Sequence, residues 1–157
     1  MFKKILVATD GSSHAQSAID VASDLAEKYG AELVLLHVLQ RNVSDSLRHM
    51  AEVEYGANLG VGGSARSEAA LYEAVTDIGR RILERGRDIA RDKGLTAVRM
   101  LTTEGDAAHQ IIDTAGDEGA DLIVMGSRGL SDLKGLLMGS VSHKVSQLAK
   151  CTCITVK

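Results

Sequence analysis

The stretch Val124 to Val145, VMGSRGLSDLKGLLMGSVSHKV, follows an apolar run and spaces Gly126, Gly129 and the pair Gly139-Ser140 as G-x2-G-x9-G-S. Glycines let a backbone approach a ligand closely and adopt positive φ. Gly139-Ser140 stands where a helix begins, and the first amides of a helix have no internal partners while its dipole favours an anion. Ser140 can add a hydroxyl donor, or serve as the N-cap through its oxygen. Arg128 and Lys134, in the intervening loop, supply positive charge for a phosphate. The chemistry these parts suit is the holding of a phosphorylated ligand. The plain alternative is a glycine-rich connection needed only for turn geometry.

Competing phosphate motifs fail. A Walker A loop needs G-x4-G-K-[ST], and the glycine after Gly129 is Gly135, followed by Leu136. Gly60, Gly62 and Ala65 satisfy G-x-G-x-x-A, but they follow a polar segment instead of the first strand, so the context for a dinucleotide site is missing. No nucleophile, base and orienting group form a set. Residues adjacent in a helix do not face one another, which leaves Ser140 and His143, at i and i+3, as the pair that can meet. His37 lies in an apolar strand and reads as a core histidine. His14, His109 and His143 fall at helix starts, where the dipole disfavours an imidazolium. No metal-ligand cluster is read. The two cysteines, Cys151 and Cys153, alternate on one strand and read as small apolar residues in a reducing compartment.

The elements that must position these residues follow from periodicity. Five short apolar runs, 4–9, 32–39, 97–103, 121–126 and 153–156, suit parallel strands covered on both faces. Between them, apolar stripes at helical spacing run over 14–29, 70–93, 106–118 and 140–149. The first three end at or near Gly30, Gly94 and Gly119, where a left-handed residue after a helix is expected. The alternation predicts an α/β domain with a parallel sheet. The segment 40–69 is too long for a tight connection and reads as an insertion, helical around 44–54 and mobile around 56–66.

In such sheets ligands sit beyond the carboxyl ends of strands whose connections leave to opposite faces. Strand one ends in Thr9-Asp10-Gly11-Ser12 and strand four in Gly126-Ser127-Arg128. If those strands are neighbours, Asp10 and Gly126 face each other across the crevice. Asp10 suits either a turn-capping role or ligand contact.

Bulk properties set bounds. A chain of 157 residues is long enough to bury a core as one domain. Its net charge of −3 and sparse aromatics favour neither nucleic acid nor an anionic membrane. The N-terminal apolar run is shorter than a signal h-region, and no run approaches a membrane span, so a cytoplasmic location without membrane insertion is expected.

The segments ILVATDGS, LVLLHV, ADLIVMGSRG and GSVSHKV together resemble the universal stress protein family along essentially the whole chain, 1–157, with 40–69 its most individual part. The intact glycine spacing is similar to that of the nucleotide-binding members. The resemblance implies a single-domain three-layer α/β/α sandwich, Rossmann-like and of the adenine nucleotide alpha hydrolase-like kind, with a five-stranded parallel sheet of order 3-2-1-4-5. It implies bound ATP, with ADP and AMP as alternatives, and Mg2+ carried by the phosphates instead of a protein cage. Asp10 would lie by the adenosine, and Val38 would meet adenine through its backbone. Met125 and Gly126 would sit by the ribose. Gly129, Gly139, Ser140 and Val141 would hold the phosphates, with Arg128 alongside. One departure is visible: Thr152 stands where the family often has proline at the start of the last strand. That strand would be a sheet edge, and the resemblance implies a homodimer through it.

Three functions fit. The first is an ATP-dependent regulatory module in the stress response, read by an unidentified protein partner. The second is a slow ATPase or autophosphorylating protein. The third is an interaction protein that keeps its glycines for the turn. A dinucleotide oxidoreductase fits less well, for want of its fingerprint after strand one.

Overall fold

The computed structural model describes residues 1–39, 65–130 and 138–157. Along the chain they form β1 (Lys4–Ala8), α1 (Ser13–Tyr29), β2 (Glu32–Leu39), α2 (Ala65–Asp92), β3 (Val98–Glu104), α3 (Ala107–Glu118), β4 (Leu122–Gly126), α4 (Ser140–Leu148) and β5 (Thr152–Val156). The strands pair in parallel in the order β3-β2-β1-β4-β5, as the resemblance implied. β5 joins the sheet from its first residue, Thr152 opposite Leu122, so threonine in place of proline leaves the start of the strand regular.

Alternation of side chains divides the core into two layers. Ile5, Val7, Leu33, Leu35, Leu122 and Val124 face one side, where α1 lays Ala18, Ile19 and Ala22 and α2 lays Leu83 and Ala90. Leu6, Val34, Leu36, Ile123 and Met125 face the other, against Ala108, Ile111 and Ala115 of α3 and Val145 of α4. The three central strands are buried on both faces, as their unbroken apolar runs require. β3 and β5 depart from that expectation. They are sheet edges and only half-buried, with Arg99 and Met100 exposed on β3 and Thr152 and Thr155 exposed on β5.

Helix stops fall where glycine permits them. Gly30 (φ 62) and Gly119 (φ 64) are left-handed, and each donates its N–H back to carbonyls of the last turn. α2 starts at Ala65, five residues before its apolar stripe begins, so the end of the segment read as an insertion is helix. The rest of that segment, with the helix read at 44–54, lies outside the described residues.

Candidate functional site

β1 and β4 are neighbours at the centre of the sheet, and their connections leave to opposite faces, to α1 and to α4. The crevice this opens at the carboxyl ends of the strands is the topological position for a ligand. It is a concave cleft open to solvent, with an apolar lining broken by a few polar groups, which is the usual character of a small-molecule site. Eight of the residues assigned from sequence line it: Asp10, Val38, Met125, Gly126, Arg128, Gly129, Ser140 and Val141.

Gly139, the ninth, lies behind the lining. It is buried, is the N-cap of α4 with φ −76, and its N–H donates to the Ser127 carbonyl at 2.7 Å. That amide is committed to the loop, so what Gly139 offers a phosphate is the shape of the loop and not its N–H. Ser140 is the first helical residue and not the cap. Positive φ also lies elsewhere, at Gly11, Gly30, Gly94, Gly105 and Gly119, and not at the three motif glycines. Gly126 is explained instead by close approach: a Cβ there would stand 2.9 Å from the Ala15 nitrogen and 2.9 Å from the His14 carbonyl carbon, both backbone of α1.

Asp10 takes the turn-capping role and also lines the crevice. Its Oδ1 accepts from the Ser12 N–H at 3.0 Å, and its Oδ2 accepts from the Leu130 N–H at 2.9 Å. The carboxylate thereby pins the turn after β1 to the loop after β4 while lining the crevice. The N-cap of α1 is Ser12, whose hydroxyl accepts from the Ala15 N–H.

α4 differs from the other described helix starts. α1 is capped by Ser12 and α3 by Asp106, whereas α4 has no side-chain cap. The first α4 amide bonded to a carbonyl of its own turn is that of His143, to Gly139. The N–H groups of Ser140, Val141 and Ser142 have no acceptor among the described residues, and all three residues line the crevice. Uncapped amides at a helix start bind anions. Nearby, Arg128 lines the same space, and its Nε is buried without a partner among the described residues.

Sequence reasoning missed Ser127. It is buried, and its backbone N–H donates to the Val156 carbonyl at 2.6 Å. Its carbonyl accepts from Gly139 and from the Ser142 hydroxyl, and its own hydroxyl is hydrogen-bonded to His14 Nδ1 at 3.1 Å. This one residue joins α1, α4 and β5 to the glycine loop. Its place inside the glycine motif was the only sequence signal, since its partners are remote in the chain. His109 pairs with Asp106 at 2.7 Å at the start of α3, and His143 is exposed. Lys134 lies outside the described residues. Among those residues no group of three or more His, Cys, Asp or Glu could hold a metal ion.

Comparison with known proteins decides the family. The model of the universal stress protein family matches residues 1–157. The chain belongs to the universal stress protein family. It is 38% identical to the universal stress protein YxiE of Bacillus subtilis over 159 aligned positions, covering all of both chains. In fold it is similar to a universal stress protein solved in complex with cAMP (24% identity, TM-score 0.70, covering 99% of this chain and 97% of that one). It is likewise similar to the universal stress protein from Archaeoglobus fulgidus in complex with dAMP (19% identity, TM-score 0.66, covering 99% and 98%). No described helix of this universal stress protein is long and apolar enough to cross a membrane.

Proposed function

We propose that this universal stress protein binds an adenine nucleotide in the crevice, ATP with Mg2+ carried on its phosphates, and that occupancy is read by a protein partner. The observation that carries the reading is the uncapped start of α4, whose first three residues have amides without acceptors among the described residues and line the same space as Asp10 and Val38. In a helix that served packing alone, a side-chain cap like those of α1 and α3 would be the cheaper arrangement. The complexes of family members with cAMP and dAMP support the class of ligand.

In this reading Asp10 lies by the adenosine, Val38 meets adenine through its backbone, and Met125 and Gly126 flank the ribose. Gly129, Ser140, Val141 and Arg128 surround the phosphates, and Gly139 sets the loop that presents them. The phosphates supply the ligands for Mg2+, since the described residues offer no acidic cage. A homodimer through β5 completes the proposal.

The test is calorimetric titration of nucleotide-stripped protein with ATP and Mg2+. One nucleotide per chain with Kd at about micromolar or below is the expected result. No binding at millimolar ATP overturns the nucleotide reading. Equal capture of a partner with and without ATP overturns the switching part.

A further inference from the structure

His37, near the carboxyl end of β2, is more than a residue that fills the core. Its side chain is buried, at 3% exposure, and it lies on the α2 face of the sheet, opposite the face that Leu36 and Val38 turn to α3 and α4. Nδ1 stands 2.8 Å from the Thr9 carbonyl. A carbonyl only accepts, so Nδ1 carries the proton, and Nε2 of the neutral ring is a bare acceptor. Nε2 has no partner among the described residues and no access to solvent. Facing it is Gly79 of α2, where a Cβ would stand 2.7 Å from His37 Cδ2 and 3.2 Å from Nε2, with a methyl of Leu39 beside them.

The other groups around the ring are easily named. α2 turns Val75, Ile78 and Ile82 inward at this level, while its charged Asp77, Arg80 and Arg81 pair with one another toward solvent. β3 contributes Thr102 at the paired register, and β1 contributes Thr9. Among the described residues, Asp10 is the charged group whose field reaches the imidazole.

The His37–Thr9 bond joins two peptide segments that both line the crevice. Thr9 precedes Asp10, and His37 precedes Val38. We infer that His37 is a positioning residue for the nucleotide: its neutral ring clamps the ends of β1 and β2 in the binding arrangement, and protonation at Nε2 releases the clamp and weakens binding. This role rests on the nucleotide reading above.

The physical reason is that protonation places a new donor and a positive charge on a buried atom that has no acceptor among the described residues, and both are costly. The ring can escape only by leaving the gap beside Gly79, which breaks its bond to Thr9. Burial is the largest influence on the ring and pushes its pKa below the ordinary histidine value, opposed by the Thr9 bond and Asp10. The sign follows. A base whose folded pKa is depressed contributes stability that is present above its unfolded pKa, near ~6.5, and is lost as pH falls toward the folded value.

The test uses the full chain, stripped of nucleotide and titrated with ATP and Mg2+ between about pH 5 and pH 8. Wild type is compared with His37→Asn, whose side-chain amide keeps a donor for the Thr9 carbonyl but does not titrate. The two affinities should agree at the alkaline end and part as pH falls. Wild type should weaken by about tenfold for each unit by which nucleotide lowers the ring pKa. Titration of ATP itself cancels in the ratio. In parallel, the NMR titration of the His37 ring should shift to lower pH on loading. Identical pH profiles for the two proteins overturn the inference and leave the nucleotide reading standing, whereas no ATP binding by wild type at any pH overturns both. If His37→Asn fails to fold, the ring titration decides alone: a pKa unmoved by nucleotide overturns the inference.

Discussion

Gly126 is fixed by packing as well as by its place in the crevice lining. The atoms a Cβ would meet are backbone of the first turn of α1 and the His14 Cβ fixed to it, so no flexible side-chain end can swing aside. That turn also carries His14, bonded to Ser127, and so holds the glycine loop from behind. Gly126→Ala should therefore push α1 and β4 apart and cost about 1–3 kcal/mol, the usual range for overpacking. Chemical denaturation should show a lower midpoint, and ATP affinity should fall with it because the loop loses its support. An unchanged midpoint would mean that α1 slides without loss, and close approach would not explain the glycine. From sequence Gly126 was recognisable as a residue of the crevice between β1 and β4, but the packing reason for it was not. The residues it touches lie more than a hundred positions away, and no local spacing encodes them.

At the scale of elements, the starts of the helices separate structural from functional sequence. Ser12 caps α1 by accepting the Ala15 N–H at 3.2 Å, and Ser12→Ala should cost about 1 kcal/mol of stability. Urea unfolding measures this directly, and a loss indistinguishable from zero would show that the Ser12 backbone, through its carbonyl bond from Gln16, suffices to start the helix. α4 gives up such a cap. Element order, sheet order and glycine stops were legible because periods of two and of 3.6 and left-handed glycines are local properties of a chain. The half-exposed edges were less legible, since a five-residue apolar run reads the same at the centre of a sheet and at its rim. The start of α2 was misjudged because its first residues lack the apolar stripe from which the helix was read. Of the site, Asp10 and the glycine motif were legible because chemistry and turn propensity coincide in them. Ser127 and the half-satisfied His37 were not, because what distinguishes them is a partner in space.

At the scale of the whole molecule, the sheet has two open edges among the described residues, and they are defended unequally. On β3, Arg99 makes a bidentate pair with Glu118 and reaches Glu32, while Lys4 closes the network through the same two carboxylates. Glu104 adds charge at the far end of the strand. Charges of this kind deter edge-to-edge pairing. β5, reading Thr-Cys-Ile-Thr-Val, has none, and Leu148, 53% exposed, precedes it at the end of α4. The proposed dimer therefore belongs at β5. The Val156 carbonyl accepts from Ser127 on the β4 side, so by alternation the amides of Cys153 and Thr155 point outward. Thr155→Pro removes one outward donor and spares the ladder to β4, a substitution that an edge strand tolerates. Light scattering coupled to gel filtration should report twice the chain mass for wild type and one chain mass for Thr155→Pro, with far-UV circular dichroism unchanged. A wild-type monomer at micromolar concentration rejects the dimer. A variant that remains dimeric places the interface away from the β5 backbone, on the helical faces or the β3 side.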